Sequence, residues 1–336
     1  MRFFDLQEAA RGQTARLVVL FSIAVAVTVV GVHVALAACW WLLDAAWPGQ
    51  LPVPHAFLFS NVALTLLLIL GGWWIETSNL QHAGGAERLA RRVGAREVRP
   101  GLHAAEQRLC NIVDEVCIAA HMPRPTVMVL PRHQFINAFA AGWDENDAVV
   151  AVTEGALEVL DRDELQGLVA HECSHIHEGD TRLNMQLAGM VFGLELVWGF
   201  GSELRERGFL ARLFGLAIMA VGSIGWYAGR CLQAAVSRQR EFLADARAVQ
   251  WTRSRDGLGG VLRKAMTQRA RAAQMRGDPV WPLSVQHLLL LGRAAERGGW
   301  LDAHPPLEAR VERIYGRRMG GLPLDGDTRP QGLTPV

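Results

Sequence analysis

The sequence has almost no excess of charge of either sign: 34 basic side chains stand against 33 acidic ones, a net charge near +1. That balance excludes an acidic or basic tail protein, and no nucleic-acid partner is expected. Paired cysteines are also missing. The five present, Cys39, Cys110, Cys117, Cys173 and Cys231, have no spacing that would staple a small fold or close a tetrahedral thiolate site, so a reduced compartment is the simpler reading. Lysine is nearly absent, Lys264 being the only one, and arginine carries the basic character; this compositional bias excludes nothing.

Apolar sequence is abundant, at 50% of the residues, and unevenly spread. No Asp, Glu, Lys or Arg occurs from Leu17 to Leu43. About 20 helical residues cross a hydrocarbon core, so this run reads as a transmembrane helix. A cleaved signal peptide would carry a shorter apolar core behind a basic leader, whereas Asp5 and Glu8 here offset Arg2, Arg11 and Arg16. Leu36-Ala37-Ala38-Cys39 has the look of a lipoprotein cleavage box, but the apolar run continues through Trp40 to Leu43 with no polar tether. A second uncharged run, Ala56 to Ile75, ends on Trp73-Trp74 as an interfacial anchor. Residues 17–75 are therefore expected to form a membrane hairpin with spans 17–43 and 56–75. Its loop holds only Asp44, while Arg88, Arg91, Arg92, Arg96 and Arg99 follow the second span. The positive-inside rule then puts the tail 1–16 and the chain beyond the hairpin in the cytosol.

Residues 183–236 read as a second apolar hairpin with spans 183–202 and 213–229, although Glu195 lies within the first and the second is short. Gly189-x-x-x-Gly193 and Gly225-x-x-x-Gly229 allow close helix approach in a membrane or in a tight soluble pair. Arg205, Arg207 and Arg212 in the loop count against crossing, and a large uncovered apolar surface counts for it.

Between the hairpins, Asp161 and Glu164 have the spacing of a capping box that opens a helix, and Gly179 closes it. That helix carries His171-Glu172-Cys173-Ser174-His175. Positions i and i+4 share a face, so both imidazoles can point at one ion, with Glu172 able to reach a water there. Metal sites of this class need a third protein ligand and leave the fourth position open. Glu241 precedes Asp245 by one helical turn, so Glu241 can bind the ion while Asp245 accepts a hydrogen bond from a ligand histidine. Cys173 points off the ligand face as a packing residue, and His177 and Glu178 read as solvated polar residues.

Four stretches, Ile136 to Gly142, the motif helix through Gly179-Asp180, Ser237 to Asp245, and His304-Pro305-Pro306-Leu307-Glu308-Ala309-Arg310-Val311, resemble the HtpX-type and CAAX prenyl endopeptidase group of integral-membrane zinc metalloproteases, within the gluzincins. The resemblance implies an α-helical membrane protein with a zincin-like α+β metalloprotease domain, mainly helical with a small β-sheet. It also implies one Zn2+ per chain held by His171, His175 and Glu241, with Glu172 as general base and Asp245 behind a ligand histidine. Asn137 and His304 match positions beside the substrate. Ala148, Val149, Val150, Ala151 and Val152 read as a strand, and the resemblance makes it the edge strand that pairs with an extended substrate.

The expected organisation is a metalloprotease domain in two halves, 76–182 and 237–318, then a Gly/Pro-rich flexible tail, 319–336. The expected task is hydrolysis of unfolded or membrane-associated proteins at the cytosolic face of a bacterial inner membrane, with a protein or peptide substrate and the bilayer as partners. A dedicated maturation or prenyl-protein protease uses the same chemistry. A non-catalytic scaffold with structural zinc would not need Glu172. A di-iron bundle needs a second Glu-x-x-His pair, which the chain lacks.

Overall fold

The computed structural model describes residues 3–48, 53–81, 84–275, 290 and 304–324. The elements in chain order are α1 (Phe3–Ala46), α2 (Phe57–Gln81), α3 (Gly85–Arg92), β1 (Arg96–Glu97), α4 (Ala104–Ala120), β2 (Thr126–Leu130), β3 (Ala138–Gly142), β4 (Ala148–Thr153), α5 (Glu154–Val159), α6 (Arg162–His177), α7 (Asp180–Arg205), α8 (Phe209–Thr252), α9 (Arg255–Met275) and α10 (Leu307–Tyr315). The chain divides into two compact units, Met1–Asn79 with Gln186–Gln233, and Leu80–Met185 with Ala234–Val336.

In the first unit, α1, α2, α7 and α8 are long and apolar enough to cross a membrane. Helix α1 starts at Phe3 and runs without a break into the apolar span. Small residues set the packing of α7 on α2. A Cβ on Gly193 would stand 2.2 Å from the Ile69 carbonyl oxygen, and one on Gly189 2.5 Å from the Thr77 hydroxyl, so the backbones approach as closely as only glycine permits. Glu195 is half-buried on α7. Helix α8 runs unbroken from Phe209 to Thr252, well beyond the apolar span 213–229. It contains no proline, and Arg238 to Asp245 are mostly strong helix formers, so nothing stops propagation.

The second unit is built on a four-stranded sheet of order β1-β2-β4-β3. Strand β2 pairs parallel with β4, and β3 pairs antiparallel with β4. Alternate residues serve opposite faces. Val127, Val129, Ala138, Ala140, Val150 and Val152 join the core of α4, α6 and α9, while Met128, Leu130, Phe139, Ala141, Val149 and Ala151 pack with Ala86, Leu89 and Ala90 of α3. Burial on both faces explains why the strand sequences are apolar throughout instead of alternating.

The sheet order corrects one expectation. Ala148, Val149, Val150, Ala151 and Val152 do form a strand, but β4 is paired on both sides and has no free edge to offer a substrate. The edge next to it is β3. The expected loose tail also needs correction over 319–324. There the Arg263 side chain donates to the Gly320 carbonyl (2.7 Å), and the Leu322 amide donates to the Arg263 carbonyl on α9. The remainder of that tail, 325–336, lies outside the described residues.

Candidate metal centre

Helix α6 opens with the anticipated capping box. The Asp161 side chain accepts from the Glu164 amide, and the Glu164 carboxylate accepts from the Asp161 amide. The same Glu164 binds Lys264 at 2.7 Å, and that ammonium also donates to the Val159 carbonyl, so the chain's single lysine ties α6 to α9. Gly179, at φ 73°, turns the chain out of α6 and directly into Asp180, the first residue of α7.

This framework brings the predicted donors together. Ligand atoms of His171, His175 and Glu241 lie within 4.8 Å of one another. The two Nε2 atoms are 3.2 Å apart, and each is 3.6 Å from a Glu241 oxygen. Behind them, His171 Nδ1 lies 3.1 Å from the Asp245 carboxylate, as the one-turn spacing of Glu241 and Asp245 anticipates. Removing that carboxylate frees the imidazole to rotate or change tautomer, so Asp245→Ala should weaken metal binding by about 10 to 100-fold. A chelator competition assay reads this directly, and unchanged retention would remove the role.

Burial gives each group its chemistry. His171, fully buried, has its pKa pushed down to about 4, so it is a neutral, ligating imidazole at neutral pH. Burial also opposes a proton on His175, but the Glu241 carboxylate outweighs it and moves His175 up. A cation between these groups would supply that positive charge instead. Glu172 is buried with neither carboxylate oxygen hydrogen-bonded among the described residues, and burial raises its pKa to about 8. Two imidazoles, one carboxylate and a second, unpaired carboxylate beside them fit a divalent cation with a reacting water.

Three residues carry more than the sequence spacing suggests. Arg310 is fully buried and forks onto Asp245 at 2.9 and 2.6 Å, with its third nitrogen 2.9 Å from Glu241. Burial alone would depress it; Asp245 and Glu241 outweigh that and hold it charged. Asp180 lies 2.9 Å from His175 Nδ1 and pairs with Arg240. All three lie inside the motifs read from the sequence, yet only tertiary contact gives them partners. The proximity of Asp180 to His175 across a glycine turn is the one signal sequence offered.

The structure places His304 against the cluster, with Nδ1 3.1 Å from a Glu241 oxygen. Asn137, also buried, precedes β3, and its side-chain oxygen accepts from the Ala138 amide at 3.0 Å. On the outer edge of β3 the Ala138 carbonyl accepts from the Leu290 amide, and the Leu290 carbonyl accepts from Arg310. Cys173 is fully buried. His177 stacks edge-on against Trp251, and Glu178 accepts from Arg247, so neither joins the cluster.

Comparison with known proteins adds an independent line. The model described as peptidase family M48 matches residues 103–318. A protease HtpX homolog of Dictyoglomus thermophilum is 35% identical over 218 residues, spanning 63% of this chain and 69% of that protein. Another, of Lactobacillus acidophilus, is 29% identical over 279 residues, spanning 77% and 88%. Among solved structures, the crystal structure of S. mikatae Ste24p is similar with a TM-score of 0.40 and 13% identity over 83% of this chain and 62% of that one, a likeness too distant to carry an argument.

Proposed function

Because this chain belongs to peptidase family M48 and is a membrane metalloprotease, we propose that it is a zinc endopeptidase that cuts unfolded or membrane-associated proteins at the cytosolic face of a bacterial inner membrane. The observation that carries this reading is Glu172, a buried carboxylate with both oxygens unpaired beside the His171, His175 and Glu241 donors. A structural metal has no use for such a group. Two histidines and one carboxylate are the donor set of catalytic zinc, with one position left open.

When bound, the metal supplies Lewis acidity, lowering the pKa of a water to about 7 and polarising the scissile carbonyl. Glu172 takes the proton from the attacking water and passes it to the leaving amine. Thr153 donates its amide to the Asn137 carbonyl, so odd-numbered residues of β3 face β4, while Ala138 and Ala140 turn their backbone groups outward. The Ala138 groups are taken by the Asn137 side chain and the Leu290 amide, so an extended substrate would add to that edge at Ala140, or at Ala138 by displacing Leu290, through main-chain bonds. Asn137, at the entry to β3, would bind the substrate backbone. The cytosolic orientation rests on the arginines that follow the first hairpin.

His304 is assigned to the transition state. Nδ1 faces Glu241 and neither ring nitrogen is hydrogen-bonded among the described residues, so Nε2 would donate to the developing oxyanion from the imidazolium form, with both nitrogens protonated. His304→Ala should lower kcat by about 10² to 10³ with metal still bound. A normal rate would return His304 to a structural part.

The overall test is casein cleavage by the detergent-purified full chain. Activity lost to a chelator and restored by zinc supports the reading. No cleavage with zinc stoichiometrically bound would overturn the broad substrate range in favour of a dedicated substrate.

A further inference from the structure

We propose that Asp180 and Arg240 are positioning residues of the metal site, forming a relay behind His175 that parallels the one Asp245 and Arg310 form behind His171. This rests on the metal-site reading above and extends it to the second histidine.

The geometry is specific. Asp180 is 2% exposed, and its Oδ2 lies 2.9 Å from His175 Nδ1, the ring nitrogen turned away from the cluster. The other nitrogen, Nε2, faces His171 and Glu241 at 3.2 and 3.6 Å. A proton held on Nδ1 by Asp180 leaves the lone pair on Nε2, the atom aimed at the donors, so the carboxylate selects the ligating tautomer and fixes the ring plane. An aspartate at a helix start ordinarily sits in solvent and favours the helix dipole. This one is turned inward, away from solvent, onto the imidazole.

Arg240 completes the arrangement. It pairs with Asp180 and immediately precedes Glu241 on α8, so a single turn of α8 supplies both a metal donor and the cation that balances the carboxylate behind another donor. That pairing matters. Asp180, Asp245, Glu241 and Glu172 are all buried within one site, and a buried carboxylate with no cation beside it is costly to desolvate. Arg240 pairs with Asp180 as Arg310 pairs with Asp245, so each outer carboxylate has its own cation. Gly179 makes the contact possible: its left-handed turn brings residue 180 back against residue 175.

The test uses the full-length chain in detergent, stripped of metal, with zinc affinity measured by competition against a chromophoric chelator and folding followed by thermal unfolding. Asp180→Ala should raise the zinc dissociation constant by about 10 to 100-fold. Asp180→Asn keeps an acceptor oxygen and should lose less. Arg240→Gln should weaken zinc binding in the same direction, and joining it to Asp180→Ala should add little, because the two act in series. Glu106→Gln removes a buried carboxylate taken up by Arg96 and the Arg99 amide, and should leave zinc affinity unchanged. Zinc binding by folded Asp180→Ala within twofold of the parent would overturn the proposal. If that variant fails to fold, Arg240→Gln decides on the same readout. Failure of the parent to bind zinc, or binding that survives His175→Ala, would instead overturn the metal-site reading.

Discussion

Glu172→Ala is expected to reduce peptide hydrolysis by about 10² to 10⁴ while leaving the metal bound, the range a positioned general base contributes. The separation of the two effects is what makes the result diagnostic. Glu172 is adjacent to His171 on α6 but is not among the three donors that cluster, so its removal leaves the donor set complete. What disappears is the only buried carboxylate there with both oxygens unpaired among the described residues. Turnover of casein with bound zinc measured on the same sample separates the outcomes: lost metal would make Glu172 a ligand, and retained activity would make another group the base.

A pH signature accompanies this. In the metal-free protein burial lifts Glu172 from the usual carboxylate range to about 8, so between those values the folded state holds a proton that the unfolded chain has released. Stability should therefore fall as pH rises through that window. Glu172→Gln, which has nothing to ionise, should flatten that part of the profile, and an unchanged slope would mean that Glu172 is not the group responsible.

The donors were legible in the sequence because each rests on a one-turn helical repeat: His171 with His175, and Glu241 with Asp245. The strand over 148–152 was legible from its β-branched apolar run, but its place in the sheet was not. Strand β2 joins β4 in parallel while β3 folds back to the outside, an order set by long-range pairing that no local pattern records. The apolar span 213–229 was legible, but that the same helix continues unbroken to Thr252 was not, because apolar character fades after Gly229 while propagation depends on backbone propensity, and polar residues with good propensity continue it. Asp180, Arg240 and Arg310 had no readable role for the same reason as β4: their partners are brought to them by the fold.

Arg310 has the largest expected effect on stability. It is fully buried, hydrogen-bonds the Asp245 carboxylate through two nitrogens and the Leu290 carbonyl through the third, and that third nitrogen also lies 2.9 Å from a Glu241 oxygen as an ion pair. Arg310→Met keeps much of the volume but strands two buried carboxylates, and removing one partner of a buried ionic network costs about 3 to 5 kcal/mol. Lysine should not rescue it, since one ammonium cannot fork onto Asp245 and reach Glu241 together. Zinc should rescue part of the loss, because a bound cation takes over the charge of Glu241 but leaves Asp245 uncompensated. Thermal unfolding of the parent, Arg310→Met and Arg310→Lys, each with and without zinc, tests all three statements. A loss below about 1 kcal/mol in Arg310→Met, the size of an exposed pair, would mean that water or rearrangement satisfies the carboxylates and that Arg310 does not hold the site together.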